Sequence, residues 1–341
     1  MATAAGPLLQ AEHVVKYFPI KRGILFQREV ARVHAVDDVS LEVQQGETLG
    51  LVGESGCGKS TLGRAFVRLF PLTDGRIVFD GQDISTLSRR GMRPMRRELQ
   101  IIFQDPYASL NPRQRVGQIV GTPLAIHGIG DRRERKRQVQ ELLQKVGLSP
   151  EHYNRFPHEF SGGQRQRIGI ARALAVRPDF IVCDEPVSAL DVSVQAQVMN
   201  LLEQIQDELG VSFLFISHDL RAVQYTSHRV AVMYLGKIVE IGPTADVAEK
   251  RLHPYTRALF SAIPSLEPGG KRRLMLAGEP PSALAVPRGC GFFSRCPKAD
   301  KGKCDVEVPP LSEIAPGEHH RVACFYPEAA GGILQPELKG Q

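Results

Sequence analysis

The sequence predicts an α/β protein whose core is a mainly parallel sheet built around a phosphate-binding loop. The loop follows a short apolar strand at 47–52 and precedes a helix with apolar residues at i, i+3, i+4 and i+7. Farther along, apolar strands alternate with helical stretches between about 180 and 217. This alternation is typical of a parallel sheet, which gathers ligands at the carboxyl ends of its strands. An antiparallel β subdomain, an inserted helical subdomain and a loop-rich, cysteine-containing C-terminal extension complete the prediction.

Length and charge set the limits of this prediction. At 341 residues the chain exceeds one ordinary domain, so a large core with an appendage is expected. The net charge of +6 permits a nucleic acid or an anionic lipid as a partner without requiring either. No segment approaches the ~20 apolar residues of a membrane span, and the N-terminus lacks the form of a signal peptide. We therefore expect a cytosolic chain that reaches a membrane only through a partner.

The phosphate-binding loop fits the pattern G-x-x-x-x-G-K-[ST] without a mismatch. Its glycines let backbone N–H groups converge on phosphate oxygens, and the following helix adds a partial positive charge. Lys59 is expected to reach the β- and γ-phosphates and Ser60 to ligate Mg²⁺. An accidental glycine-rich turn is the alternative, which the strand before the loop and the helix after it disfavour. The residues predicted to bind nucleotide here are Gly53, Glu54, Ser55, Gly56, Cys57, Gly58, Lys59, Ser60 and Thr61.

The residues before the loop alternate apolar and polar side chains from 8 to 50, which predicts antiparallel strands. Tyr17 and Phe18 follow the first of these strands. One of them could stack on adenine, a contact of roughly 1–3 kcal/mol by analogy with base–aromatic stacking. Packing in the core is the alternative for either ring, and the local pattern does not choose between them.

After the loop, strands are expected at 75–81 and 100–103, the second ending at Gln104. From about 105 to 160 the pattern becomes helical, and the best-defined helix has Asp131 as its candidate N-cap.

Further polar residues follow the later strands. A buried strand at 180–184 ends in Asp184 and Glu185, and another at 211–217 is followed by His218. Asp184 is placed to hold Mg²⁺ through water and Glu185 to polarise the attacking water, while Gln104 and His218 offer polar groups to the γ-phosphate. A lone histidine after a strand is more often structural, but polar residues at four strand ends favour a site.

These segments, in this order, resemble an ABC transporter ATPase subunit, from about residue 10 to 330. The segments that carry the resemblance are the phosphate loop, Gln104, Ser161-Gly162-Gly163-Gln164, Asp184-Glu185, Ser188 to Asp191 and His218. Phe160 departs from the family, in which Leu is commonest at this position. The resemblance implies a P-loop NTPase (ABC ATPase) core at 1–250, with a helical subdomain at about 105–160 and an extension at 251–341.

The resemblance also implies the roles of the site residues. The cofactors would be ATP and Mg²⁺, with two such chains sandwiching two nucleotides between the loop of one and the Ser-Gly-Gly-Gln signature of the other. Glu185, His218 and Gln104 would be catalytic. Ser60, Gln104 and Asp184 would bind Mg²⁺. Beyond the loop itself, the nucleotide would contact Phe18, Ser161, Gly162, Gly163, Gln164 and Asp191.

Residues 104–112 and 253–259 are most similar to the oligopeptide/dipeptide importer branch. The branch implies two multi-span permease subunits, a second ABC ATPase that is a paralogue rather than a copy, and an extracellular solute-binding protein. Its members lie on the cytoplasmic face of the inner membrane.

Nickel or another small solute is an alternative cargo. A nucleic-acid-associated ABC ATPase is disfavoured because coiled-coil insertions and a second fused cassette are absent, so no nucleic acid partner is expected. An intact Glu185 argues against a non-catalytic regulatory subunit.

Four cysteines cluster near the C-terminus: Cys290, Cys296, Cys304 and Cys324. Disulfides are disfavoured in a cytosolic chain, and the spacing lacks the C-x₂₋₄-C of most zinc sites. An iron–sulfur cluster takes four thiolates at irregular spacing. In some relatives that the tail resembles, four cysteines hold a [4Fe–4S] cluster. We expect a cluster here, with zinc second, idle thiols third, and His319 or His320 as a substitute ligand.

Overall fold

The structure, a computed structural model, describes residues 6–22, 28–263, 278–284, 287–315 and 317–328, together with Leu274 and Leu276. The last part of the predicted extension, 329–341, lies outside the described residues.

The described strands and helices follow one another along the chain as follows. The strands are β1 Leu9–Arg22, β2 Arg28–Val43, β3 Thr48–Val52, β4 Asp74–Phe79, β5 Gln82–Asp83, β6 Leu99–Ile102, β7 Phe180–Asp184, β8 Ser212–Ile216, β9 Arg229–Tyr234, β10 Lys237–Pro243, β11 Ser312–Glu313 and β12 Arg321–Val322. The α-helices are α1 Lys59–Phe66, α2 Met92–Glu98, α3 Pro106–Ser109, α4 Val116–Ile126, α5 Arg132–Lys145, α6 Gly162–Leu174, α7 Val192–Leu209, α8 Leu220–Thr226, α9 Thr244–Lys250 and α10 Pro254–Ser261. Short 3₁₀ helices cover Pro150–Asn154, Pro157–Glu159 and Phe293–Arg295.

An eight-stranded sheet in the order β11-β12-β10-β9-β3-β8-β7-β6 forms the core. Every neighbouring pair from β9 to β6 is parallel. Strands β3, β7 and β8 are buried at every position, as expected when helices cover both faces of a parallel sheet. The predicted α/β fold with a mainly parallel sheet is confirmed.

A second, antiparallel sheet has the order β2-β1-β4-β5, which confirms the antiparallel strands expected before the loop. The structure has one 16-residue strand, β2, across 28–43. Asp38 interrupts the alternation because its φ is 60°, and the register with β1 shifts there. A bulge of this kind breaks the two-residue period without ending the strand.

Helix α5 begins where the sequence predicts. The Asp131 side chain accepts hydrogen bonds from the backbone N–H groups of Arg133 and Glu134, and the Glu134 side chain accepts one from the Asp131 N–H at 2.9 Å. This reciprocal capping satisfies N–H groups that the helix itself leaves free. Gly147 follows the helix with a φ of 75°, a conformation suited to glycine.

Described residues after 250 pack on the core, although the loss of sequence periodicity predicts a separate, loop-rich extension. Strand β12 pairs with β10 and so extends the core sheet. The fully buried carboxylate of Glu240 accepts hydrogen bonds from the backbone N–H groups of Leu252 at 3.0 Å and His253 at 2.9 Å. His320 Nε2 lies 2.8 Å from the same carboxylate. One buried side chain therefore joins three parts of the chain.

We predict that Glu240→Gln lowers the free energy of unfolding by about 2 kcal/mol or more, because the amide cannot accept all three bonds and leaves a buried donor unpaired. Chemical denaturation of the purified chain measures the loss. Glu249→Gln, the same change at an exposed position of α9, is the control and should shift stability by less than about 0.5 kcal/mol. Equal stabilities of the two variants would contradict this account of Glu240.

Candidate active site

Four neighbouring strands end at one edge of the core sheet, and each is followed by predicted site residues. The phosphate loop follows β3, His218 follows β8, Asp184 and Glu185 end β7, and Gln104 follows β6. Because these strands are parallel, their carboxyl ends lie side by side. The convergence that the alternating pattern predicts is present.

The phosphate loop has a backbone that requires glycine. Gly53, Gly56 and Gly58 have φ values of 153°, 78° and 109°. At Gly58 an added Cβ would lie 2.0 Å from the carbonyl oxygen of Ala35 in β2. The loop thus approaches a neighbouring strand too closely for any side chain.

Lys59 opens helix α1 and places its ammonium over the loop. Its Nζ donates hydrogen bonds to the carbonyl oxygens of Gly53 at 2.8 Å and Glu54 at 2.9 Å. The side chain is buried, so its charge lies against the loop backbone. A cation there, beside a helix N-terminus, forms an anion-binding environment.

Ser60 and Asp184 form a pair of oxygen ligands at the start of α1. The Ser60 hydroxyl donates to Asp184 Oδ1 at 2.6 Å, and Arg64 Nη2 lies 3.2 Å from Oδ2. The Asp184 side chain is fully buried, so these partners offset the cost of a desolvated carboxylate. Mg²⁺ commonly binds through one or two such groups together with phosphate oxygens. The donor set fits Mg²⁺.

Glu185 follows β7 in a left-handed conformation, with φ at 50°. Backbone in this region is uncommon for a residue with a side chain and occurs often at functional sites. Its backbone N–H donates to Ile216 at the end of β8. Its carboxylate accepts a hydrogen bond from Gln104 Nε2 at 2.8 Å and lies 3.2 Å from His218 Nδ1. The Glu185 side chain is 14% exposed and that of His218 59%. The carboxylate is therefore fixed from two other strand ends.

Other predicted nucleotide contacts lie apart from the phosphate loop. Ser161 caps helix α6 and pairs with Gln164, each accepting the other's backbone N–H at 3.3 and 3.1 Å. Gly162 and Gly163 form the first turn of α6, and Asp191 is the exposed N-cap of α7. Among the described residues, no hydrogen bond joins these side chains to the loop.

The two aromatic candidates for adenine differ in their surroundings. Tyr17 packs on His34 at 3.9 Å between ring centres, and its hydroxyl donates to Asp37 at 2.6 Å. Phe18 is 38% exposed and meets Phe70 edge-on. Both rings lie within β1 and not after it. Tyr17 is engaged within the sheet, whereas Phe18 is exposed and has the Lys16 ammonium 4.9 Å from its ring centre.

Sequence reasoning missed two residues that touch the phosphate loop. The Tyr255 hydroxyl accepts a hydrogen bond from the Glu54 backbone N–H at 2.7 Å. Arg295 binds the Glu54 carboxylate with two nitrogens, at 2.9 and 3.2 Å. Tyr255 belongs to the 253–259 segment, which the sequence marks only through its family resemblance. No sequence signal distinguishes Arg295 from the other arginines of the chain.

The four C-terminal cysteines line one small pocket of about 20 Å³. That volume holds about one water molecule. Within the described residues, no group of three or more His, Cys, Asp or Glu side chains is arranged to hold a metal ion. Burial raises the pKa of the Cys296 and Cys324 thiols to about 11. His320, a suggested substitute ligand, is engaged with Glu240 instead. The four thiols thus share one pocket, but as placed they are not arranged around a metal ion.

Known proteins resemble the chain along most of its length. A family model described as "ABC transporter" matches residues 36–188, and one described as "Oligopeptide/dipeptide transporter, C-terminal region" matches residues 239–304. The chain is 52% identical to the oligopeptide transport ATP-binding protein AppF of Bacillus subtilis (strain 168), over 93% of this chain and 96% of that protein. It is 51% identical to the probable peptide ABC transporter ATP-binding protein y4tS of Sinorhizobium fredii, over 97% and 94%.

Solved structures are similar as well. The dimeric post-hydrolysis structure of the ATP-binding cassette MJ0796 bound to ADP and Pi has a TM-score of 0.62 at 27% identity, covering 69% of this chain and 98% of that one. The cbiO1 subunit from Clostridium perfringens has a TM-score of 0.61 at 28% identity, covering 72% and 92%. Within the described residues, no helix combines the length and apolar character needed to cross a membrane.

We predict that Gly58→Ala lowers the free energy of unfolding by about 3 kcal/mol or more, because the added methyl strains the backbone and collides with Ala35. Gly46→Ala is the matched control. Gly46 also has a positive φ, of 70°, but an added Cβ there meets nothing within 4 Å, so the cost should be about 1 kcal/mol. Denaturant titration compares the variants. Equal losses would show that close approach to β2 does not constrain the loop.

Proposed function

This chain belongs to the ABC transporter family of ATP-binding proteins, and from that premise we propose that it is the ATP-hydrolysing subunit of a bacterial importer of oligopeptides or dipeptides. The single observation behind the catalytic part is that Gln104 and His218 hold the Glu185 carboxylate at the sheet edge that also carries Lys59 and the Ser60–Asp184 pair. A phosphate cradle, oxygen ligands for Mg²⁺ and a fixed carboxylate are the parts that ATP hydrolysis requires.

In the proposed reaction, the loop N–H groups and Lys59 bind the β- and γ-phosphates. Ser60, Asp184 and Gln104 would hold Mg²⁺, which neutralises charge on the phosphate oxygens when bound. The attacking water gives a proton to Glu185 while its oxygen bonds to the γ-phosphorus and the bond to ADP breaks. Gln104 and His218 orient Glu185. Phe18 stacks on the adenine.

The signature residues serve a second ATPase subunit in this proposal. The Ser161 side chain caps its own helix, and the N-terminus of α6 is suited to binding an anion. Ser161, Gly162, Gly163, Gln164 and Asp191 would therefore face the nucleotide on the loop of a partner ATPase. A similar cassette was solved as a dimer bound to ADP and Pi. A paralogue is proposed as this partner in preference to a second copy.

The location, the membrane partners and the cargo of this chain are proposed from its family. The chain would lie on the cytoplasmic face of the inner membrane against two multi-span permease subunits, with an extracellular solute-binding protein delivering cargo. Both relatives described above are named for peptide or oligopeptide transport, which favours peptides over nickel or another small solute.

We predict that Glu185→Gln lowers ATP turnover by the assembled transporter at least about 100-fold, because the amide cannot accept the proton from water. ATP affinity should stay near the wild-type value, whereas Lys59→Ala should lose nucleotide binding. Phosphate release and peptide uptake in proteoliposomes measure turnover and transport. Glu151→Gln, at an exposed position of the helical segment, should retain both activities. Unchanged turnover in Glu185→Gln would reject the role assigned to this carboxylate.

We also propose that Cys290, Cys296, Cys304 and Cys324 bind a [4Fe–4S] cluster, with zinc as the alternative. The support is that all four thiols line one pocket and that four thiolates are the usual ligands of such clusters. Loading would require the pocket to widen and the thiols to lose protons. No step of ATP hydrolysis is assigned to the cluster.

For the cysteine pocket, we expect anaerobically purified protein to contain about four iron and four sulfide ions per chain. Cys296→Ser should lose most of this iron, whereas Cys183→Ser, in the buried strand β7, should retain it. Metal and sulfide analysis with visible absorbance provides the readout. Zinc without iron would favour the alternative, and protein free of both metals would reject the proposal.

A further inference from the structure

The C-terminal extension makes a charged contact with the phosphate loop. Arg295, in the short 3₁₀ helix after Cys290, binds both carboxylate oxygens of Glu54 at 2.9 and 3.2 Å. Its side chain is only 7% exposed, and that of Glu54 is 29% exposed. Arg295 Nη1 also lies 3.3 Å from the Tyr234 hydroxyl. Two parallel bonds of this type fix the direction of a carboxylate as well as its position.

A second contact holds the backbone of the same loop residue. The Tyr255 hydroxyl accepts the Glu54 N–H at 2.7 Å. This N–H therefore points at Tyr255, and the donors left for phosphate are other N–H groups of the loop. The bond therefore fixes the orientation of the peptide group between Gly53 and Glu54.

Tyr255 is itself held rigidly. It is fully buried and packs on Tyr234 and Phe292, with ring centres 4.6 and 5.6 Å away. Its backbone N–H donates to His253 Nδ1 at 3.0 Å. Burial lowers the pKa of His253 to about 4, so the imidazole is neutral at pH 7 and can accept this bond. The backbone of His253 is in turn bound by the buried Glu240.

These contacts are long-range and specific to one residue of the loop. Tyr255 and Arg295 lie 201 and 241 positions beyond Glu54 in the sequence. Between them they bind both the side chain and the backbone of Glu54. Arg295 and Tyr255 therefore set where this end of the loop lies, and the loop carries the backbone donors that bind phosphate.

We propose that Arg295 and Tyr255 are positioning residues for ATP, which act through Glu54 to hold the phosphate loop in its binding conformation. The C-terminal extension thereby sets the affinity for nucleotide. This inference rests on the proposed function, because it assumes that the loop binds ATP.

The contacts predict a particular kinetic effect. Glu54 makes none of the hydrogen bonds that fix Glu185, so losing its anchors should weaken phosphate binding equally in the ground state and the transition state. Uniform loss of this kind raises KM and leaves kcat unchanged. A general loss of folding would lower the amount of active enzyme and hence the apparent kcat.

The experiment measures ATP hydrolysis by the assembled transporter carrying Arg295→Gln, Glu54→Gln or both changes. Each single change should raise KM for ATP about tenfold and keep kcat within about twofold of the wild-type value. The KM of the double variant should not exceed the higher of the two single-variant KM values. The matched control is Lys298→Met, which removes a nearby cation paired with Glu328. Glu328 retains Arg257 as a partner, so this variant should keep the wild-type KM.

An unchanged KM in Arg295→Gln, or additive effects in the double variant, would overturn the inference. A wild-type transporter without ATPase activity would instead reject the proposed function.

Hydrogen exchange of the wild-type protein gives a second readout, which does not need Arg295→Gln to fold. The amides of 290–296 should exchange at least about threefold more slowly when a non-hydrolysable ATP analogue binds, by reciprocal coupling, and Glu54→Gln should abolish the slowing. Equal exchange with and without nucleotide in the wild-type transporter would also overturn it.

Discussion

The site depends on the register of four parallel strands. Ile216 of β8 pairs with Leu51 of β3 on one side and with Asp184 of β7 on the other, and Cys183 pairs with Ile102 at the end of β6. The carboxyl ends of these strands therefore align almost residue for residue. Since side chains alternate between the faces of a sheet, a slip of one residue would turn Asp184 away from Ser60. The buried, apolar strands fix the register and therefore the positions of the site residues at the strand ends.

Two adjacent carboxylates at this sheet edge are held in place by hydrogen-bonding and charged partners. Asp184 has no exposed side-chain surface and keeps its position through Ser60 and Arg64. Glu185, the next residue, has an uncommon backbone conformation and two polar partners from other strands. Adjacent carboxylates thus have different surroundings, one paired with a hydroxyl and a guanidinium and one held at the sheet edge. That difference is the physical basis for assigning metal binding to Asp184 and proton transfer to Glu185.

The sequence predicts those parts of the protein whose patterns are local. The phosphate loop, the Asp131 cap and the strand-end residues all follow from short motifs and hydrophobic periodicity, and the structure places them accordingly. Contacts between distant segments leave no such signal. Strands β11 and β12 have two residues each, too few to show a period. Arg295 reaches Glu54 across 241 positions, and nothing near either residue indicates the other. The fold brings the four cysteine thiols to one pocket, but their spacing in the sequence does not determine what they bind.

In the proposed mechanism, the phosphate loop of one subunit and the Ser-Gly-Gly-Gln signature of another close on the same ATP. The direct measurement is the structure of the assembled transporter trapped with ATP, for example through the Glu185→Gln variant. We expect the Ser161 side chain to lie within about 3.5 Å of a γ-phosphate oxygen whose nucleotide is bound by the phosphate loop of the partner ATPase. A trapped, ATP-loaded assembly in which Ser161 lies far from every γ-phosphate would contradict the account.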